Sequence, residues 1–514
     1  MKARFLSPEP VVELVKRFDG AYENFLAAAR TCYSSKGIVS EQDIGDRWDF
    51  LAQSLYRAGH HTTLQHAHYQ FALDRVSRHF LWSFLHSHPF YNSEQASQRY
   101  VEVKSGCAAI PPLSGQALSL YEETIAFQMD RYRSLTARLM PLAEEQYVRR
   151  FPKRPLDKAR FRGDVKKKAQ EIARYVLPVA TFSYLYHTIS AVTLMRYWRL
   201  CQQQDAPLEQ RIVAEKMIQA LLKAEPKFEA ILEEPLEPET LPEWDCLRNG
   251  AGAGFAAQFI AEFDASLEGR VSKLVDCKPK NEALLADSVR EVLGRPRQTM
   301  SDEEAIGVAL DPERNRLLGE SLNLTTMAKL TRCLFHPSYT FRKKISHTAD
   351  SQDQRHRMTP ASRPILAAHL TGDPDFITPE LIKMDDGVLY EYAETMERTW
   401  DAIRQLQRWG VEDEFVQYLL PNAAAVRFTE SADLLNLRHK LAMRLCYNAQ
   451  EEIWRASLDE ARQICQTNPL IGKYLLPPCS LRLLSNQKPI CPEGERFCGE
   501  KVWTYELDDY DRII

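Results

Sequence analysis

The chain has 514 residues, and at about 150 residues per domain that length predicts three domains or two large ones. Hydrophobic residues make up 44% and charged residues 26%, which excludes a chain disordered throughout. The 66 Lys and Arg against 70 Asp and Glu leave a formal charge of -4, which excludes a globally basic nucleic-acid coat.

Met1 to Phe5 offers no apolar core ahead of Pro8 and Pro10, and no apolar run approaches the ~20 residues of a membrane span. A cytoplasmic location is therefore expected, with the 11 cysteines as buried thiols or metal ligands rather than disulfides. His66 to Leu73 alternates apolar and polar residues and reads as a strand. Apolar residues at three- and four-residue spacing predict helices over Tyr121–Glu145, Lys166–Cys201 and Arg211–Lys223. Ten Lys or Arg between Arg149 and Lys168 read as a solvated helix face, although RNA or a polyglutamate tail would also match them. Nucleic acid is not expected as a partner. Pro and Glu dominate Glu225–Glu243, and Gly250-Ala251-Gly252-Ala253-Gly254 follows, so 225–254 reads as a linker. The glycines lack both the GxGxxG order and a preceding strand, which favours a flexible connection over a phosphate cradle. Helical spacing resumes over Leu389–Gln407 and Glu430–Cys465.

A linker near the midpoint prompts a search for an internal repeat. Leu14-Val15 followed by Glu23 to Ala28 has a counterpart in Leu274-Val275 followed by Asn281 to Ala286. Tyr175-Val176-Leu177-Pro178 answers Tyr418-Leu419-Leu420-Pro421 in the same order. The expected organisation is two copies of one unit, over 1–224 and 255–466, joined by 225–254 and followed by a tail over 467–514.

Three segments carry chemistry. Arg355-His356-Arg357 sets two permanent cations around a histidine, a combination suited to phosphate or the polar edge of a ring. Gly59-His60-His61-Thr62-Thr63-Leu64-Gln65-His66 leads into the strand at His66. Asn92 to Tyr100 is polar with an aromatic end, which suits a loop that binds an anionic nucleotide.

Together these segments resemble the flavin-dependent thymidylate synthases. That family carries GHxTxxxH, RHR, SxRY and a helical LR...AQxEI signature. Here the first half has Gly59-His60, Thr62, His66 and Ser97-Gln98-Arg99-Tyr100. The second half has Gln352, Arg355-His356-Arg357, Arg427, Arg444 and Ala449-Gln450-Glu451-Glu452-Ile453. The departures are complementary. Ser87-His88-Pro89 replaces RHR in the first half, and Tyr184 and Cys201 stand where arginines are usual. The second half lacks GHxTxxxH and shortens the loop after RHR to Met358–Pro364.

The resemblance implies an α+β fold of two tandem thymidylate synthase-like domains, each an antiparallel sheet with long helices. It implies an FAD enzyme that methylates dUMP to dTMP, with methylenetetrahydrofolate and NADPH as co-substrates. Complementary loss implies one composite site, with catalytic roles for Ser97, Arg99 and Arg444. Thr62, Gln65, Arg355, His356 and Arg357 would hold the flavin, Gln65 replacing the usual Glu. Gln352, Gln98, Tyr100, Arg427 and Arg444 would hold the nucleotide. Because family members are homotetramers, two such chains would form a dimer acting as a pseudo-tetramer. Alternatives are a flavin- or nucleotide-binding protein without catalysis, or a methylase of another uracil nucleotide or RNA.

Outside this pattern, Cys465, Cys479, Cys491 and Cys498 could supply four thiolates to zinc or an iron-sulfur cluster, although no CxxC spacing is present. His60, His61, His66 and His68 are left to the family motif rather than to a metal.

Overall fold

The computed structural model describes residues 4–45, 48–87, 90–104, 106–150, 159–202, 205–250, 253–320, 328–512 and 514. Four strands of the first half are β1 (Val11–Arg17), β2 (His68–Ser77), β3 (Tyr91–Gln95) and β4 (Phe182–Ser190). Four of the second are β5 (Ser272–Cys277), β6 (Ser338–Ser346), β7 (Ala361–Ser362) and β8 (Ala425–Asp433). They form two antiparallel sheets, ordered β1-β2-β4-β3 and β5-β6-β8-β7. One order written twice is the internal repeat in three dimensions.

The predicted strand at His66–Leu73 forms as β2, displaced toward the carboxyl end. Two predicted helices are shorter than their spacing suggested. Lys166–Cys201 is interrupted by β4, where Ser183, Leu185, His187 and Ile189 are buried while Tyr184 and Tyr186 face outward. That period-two burial lies between two true helices, Ala159–Ala173 and Ala191–Arg199, so flanking helical spacing hides it. Glu430–Cys465 likewise divides into the end of β8 and the helices Leu434–Arg444 and Glu451–Thr467. Inside the predicted linker, Pro226–Ile231 forms a 3-10 turn that buries Phe228 and Ile231 in the first half's core.

Each half has its own core, and a third core lies between them. The intervening core is built from the helices Gly115–Arg150 and Asp386–Arg408, which contribute Tyr121, Tyr132, Tyr392 and Trp400 among others. At its centre the two Leu-Pro turns hydrogen-bond reciprocally. Val179 N donates to Leu420 O at 2.8 Å and Asn422 N to Leu177 O at 2.8 Å. Ala180 N donates to Tyr418 O at 3.0 Å and Ala423 N to Tyr175 O at 2.8 Å. The matching tyrosines exchange partners as well. Ser77 Oγ donates to Glu209 at 2.6 Å, and Tyr418 of the other half adds its hydroxyl to that carboxylate at 2.8 Å. Ser346 Oγ donates to Glu452 at 2.6 Å, and Tyr175 crosses over in the same way. Each half thus closes a buried triad in the other.

A Tyr418→Phe variant tests this exchange, because it removes one buried hydrogen bond and leaves the ring in place. Chemical denaturation should show a loss of about 1–2 kcal/mol with the far-UV circular dichroism of the folded protein unchanged.

Candidate functional site

The RHR loop rests on a buried ionic network. Helix His347–Asp353 starts at Ser346, whose hydroxyl accepts from Ala349 N. It ends on Asp353, which pairs with Lys440 at 2.6 Å and Lys343 at 3.3 Å. The same lysines reach Glu430, at 2.5 and 2.8 Å, and Lys343 also reaches Glu460 at 2.6 Å. Burial, with Asp353 adjacent, pushes Glu430 up to about 7. Burial opposes the charge on Asp353, but Lys343 and Lys440 outweigh it and hold that carboxyl well below its usual range. The network fixes where the loop leaves the helix.

From this base the loop crosses to the first half. Arg355 Nη2 donates to both carboxylate oxygens of Glu94 at 2.9 Å. The Arg357 guanidinium lies 4.9 Å from the centre of the Tyr91 ring and donates to Asn92 Oδ1 at 3.3 Å. Arg357 also lines a cleft of about 650 Å³ together with Thr62 and Gln65. All the predicted cofactor residues except His356 therefore meet at one cleft or its edge. His356 turns inward, and its Nε2 accepts from Arg444 Nε at 2.9 Å. Burial and then Arg444 push its pKa well below the ordinary value, so the ring is neutral with a lone pair toward Arg444.

The predicted nucleotide residues cluster behind the loop, with one exception. Arg444 Nη2 donates to Gln352 O at 3.0 Å. The Gln352 amide donates to Gln450, and Gln450 donates to the Tyr175 hydroxyl, so the second half's site is tied to the first half's triad residue. Gln98 accepts from Asn422 at 3.1 Å, while its own Nε2 is buried without a partner. Arg99 donates to Glu171 and, through Nη2, to Asn448 O at 2.8 Å. Ser97 Oγ accepts from Arg99 N at 3.3 Å, and Tyr100 lies under the Arg99 guanidinium. The exception is Arg427. Its buried guanidinium is held by Asp264 at 2.7 and 2.8 Å and by Asp375 at 2.5 and 3.0 Å. Four charge-assisted bonds make it part of the scaffold, away from the residues it was expected to join.

Sequence reasoning missed Arg174. It is 2% exposed, and its Nε and Nη2 are buried without a hydrogen-bond partner, facing Arg99 and Glu171. A signal was available: Arg174 precedes the Tyr175 anchor, whereas Gln417 precedes the matching Tyr418. The same asymmetry runs through the second, symmetry-related location. Counting from the N-cap serines, Ser83 stands where Gln352 does, and sheet register puts Leu366 in the place of Gln98. Leu366 is buried in the intervening core, Trp82 donates to Asp350 at 2.7 Å, and Arg363 clasps Asp350 with two bonds of 2.8 Å. Packed side chains fill that location.

The expected metal site does not form. Cys465 lies against Gly472, where an added Cβ would come 2.4 Å from the Cys465 Cα, and it does not join the other three. Burial pushes the Cys479 thiol up to about 12 and the Cys465 thiol to about 11, and Cys446, Cys491 and Cys498 lie beside Cys479 while Cys465 does not. Among the described residues, no group of three or more His, Cys, Asp or Glu is disposed to hold a metal. His88 and Pro89 of the replaced motif, part of the basic segment at 151–158, and Ala251-Gly252 lie outside the described residues.

Burial pushes Glu452, at the head of the Tyr175 triad, up to about 7 from 4.5. A carboxyl raised in the folded state contributes stability that is intact below its unfolded pKa and is lost as pH climbs through the folded one. Between about pH 5 and about pH 7 this group should lower stability by up to about 1.4 kcal/mol per pH unit. Glu452→Gln should flatten that part of a denaturation profile measured against pH.

The family model described as "Thymidylate synthase complementing protein" matches residues 13–227 and 273–470. The chain is 29% identical over 211 residues to the flavin-dependent thymidylate synthase of Clostridium tetani, covering 39% of this chain and 78% of that protein. It is 27% identical over 171 residues to the enzyme of the same name from Pyrococcus abyssi, covering 32% and 68%. With that of Nitratidesulfovibrio vulgaris it shares 26% over 222 residues, covering 41% and 81%. A solved structure of the UMP/dUMP methylase PolB from Streptomyces cacaoi superposes with a TM-score of 0.32 at 21% identity, covering 43% of this chain and 94% of that one. No helix among the described residues is long and apolar enough to cross a membrane.

Proposed function

This chain belongs to the thymidylate synthase complementing protein family, and on that premise we propose that it methylates a uracil nucleotide, dUMP to dTMP, at one composite site per chain. The observation that carries the reading is convergence. Gln352, His356 and Arg444 of the second half meet Gln98, Arg99 and Arg174 of the first, although neither half holds a full set.

The cleft at Thr62, Gln65 and Arg357 fits a phosphate-bearing flavin. It sets two guanidiniums beside Tyr91, and Arg355, 44% exposed on its side chain, is paired at its open edge with Glu94. Arg355 and Arg357 would hold FAD there, and the flavin supplies hydride transfer from NADPH while methylenetetrahydrofolate supplies the carbon. The chain's own residues position and polarise. Arg99 and Arg174 hold the nucleotide's phosphate, and the unpartnered Nε2 of Gln98 is one further donor. Arg444, kept in place by neutral His356 and by the Gln352 carbonyl, directs positive charge at the uracil ring as negative charge develops on it. The Gln352–Gln450–Tyr175 chain keeps that arrangement from relaxing.

A dimer fits the same reading. The outer face of the second sheet is covered by helix Ala253–Ser266, through Asp264 to Lys344 and Arg427. The outer face of the first sheet leaves Tyr184 and Tyr186 exposed beside the flavin cleft, where a second chain would seat.

Purified protein should bind flavin and oxidise NADPH in a dUMP-dependent way, with dTMP as product when methylenetetrahydrofolate is also present. Arg444→Ala should lower kcat/KM at least about 100-fold with flavin retained. Flavin binding without turnover on dUMP, UMP or RNA would leave a non-catalytic nucleotide-binding protein.

A further inference from the structure

Four cations lie around one carboxylate where the two halves and the tail meet. Glu171 faces Arg99, Lys168 and Arg174, and Arg512 adds a fourth cation. Lys168, Arg174 and Arg512 are 8%, 2% and 5% exposed. Neighbouring carboxyls balance them only in part, since Glu451 faces Arg512 and Glu452 faces Arg174 but each has other partners. Glu451 bonds Arg455, and burial raises Glu452, in its triad with Ser346 and Tyr175, to about 7. On the rim, Arg160, Lys167 and Arg496 stand against Asp164, Glu493 and Glu495. Buried charge of one sign is costly unless a counter-charge arrives.

The geometry of Arg512 shows where that counter-charge would sit. Arg99 of the first half and Arg512 of the tail rest on adjacent carbonyls. Arg99 Nη2 donates to Asn448 O at 2.8 Å, and Arg512 Nη2 donates to Ala449 O at 2.6 Å. Arg512 Nε is occupied by an oxygen of Ile514 at 2.8 Å. Its Nη1 is buried without a partner, as are Nε and Nη2 of Arg174. Arg99 and Arg512 line a common cavity of about 530 Å³. The tail holds Arg512 firmly: Arg455 donates to its carbonyl at 3.2 Å, Arg462 donates to Leu507 O and Asp508 O, and Tyr510 is buried in the second core.

We propose that Arg512 is a binding residue for the substrate's phosphate dianion, supplied by a tail lying beyond both matched segments. The inference rests on the reading of the substrate as a uracil nucleotide. A planar guanidinium fixed at two of its nitrogens presents the third in a set direction, which suits a tetrahedral dianion better than a monovalent ion. The flavin also carries phosphate, so the test must separate the two sources.

The experiment is equilibrium binding of dUMP, deoxyuridine and inorganic pyrophosphate to the flavin-loaded full chain, in wild type, Arg512→Gln and Arg512→Lys. Arg512→Gln should weaken dUMP about 10- to 100-fold, leave deoxyuridine unchanged and keep the flavin content. Equal weakening of dUMP and deoxyuridine, an unchanged dUMP affinity, or loss of flavin with dUMP binding retained would each overturn the proposal. If Arg512→Gln does not fold, Arg512→Lys decides. It keeps a cation but not the two-point seating, so dUMP should weaken about 10-fold with deoxyuridine unaffected, and no change in dUMP overturns the proposal. Wild type that binds pyrophosphate through Arg512 but binds neither dUMP nor deoxyuridine would overturn the uracil reading while supporting Arg512 as an anion ligand.

Discussion

The reciprocal pairing of the two Leu-Pro turns is the constraint on which the rest of this molecule depends. Four backbone bonds, two in each direction, join Tyr175–Ala180 to Tyr418–Ala423 at the centre of the largest core. Buried backbone groups must find partners, and here the N–H groups of Val179, Ala180, Asn422 and Ala423 find theirs in the other half. The crossing of Tyr175 to Glu452 and of Tyr418 to Glu209 follows from the same geometry. Neither half can complete its own triads alone, so the duplicated unit behaves as a fused dimer rather than two beads on a linker.

That fusion explains why the chain can divide its chemistry. Two like units around a local twofold create two equivalent locations, and in a single chain the residues at each can diverge independently. One location gathers Arg99, Arg174, Arg444 and Gln352 around a buried excess of positive charge. At the other, Gln417 replaces Arg174, Leu366 occupies the place of Gln98, and Trp82 and Arg363 converge on Asp350. There Leu366 and the paired Asp350 take the place of open cationic donors, although both polar atoms of Gln417 stay buried without a partner. The retained location keeps unpartnered donors on Arg174 and Gln98. Two unpartnered guanidinium nitrogens of Arg174 beside Arg99 set the retained location apart as the one suited to an anion.

The site was legible in the sequence to an uneven degree. Arg355, His356, Arg357, Arg444, Gln352 and the Ser97–Tyr100 loop are short motifs, and the structure brings them together. Arg427 carried the same motif signal, yet Asp264 and Asp375 neutralise it from distant parts of the chain. Nothing local to residue 427 announces those partners. The tail cysteines failed as a metal set for a related reason: spacing in sequence does not say that Cys465 packs on Gly472. β4 was obscured because a nine-residue period-two stretch sits between helices of stronger periodicity.

By itself the sequence determined the family, the duplication and the complementary loss of motifs, because each is written in contiguous residues whose chemistry depends on type and order. Only the tertiary structure decided which charges are spent on structure and which remain for a ligand. Arg427 and Arg174 are both buried guanidiniums; one meets two aspartates, and the other has two nitrogens without a partner. The role of a buried cation depends on the counter-charges folded against it, and those lie far away in the chain.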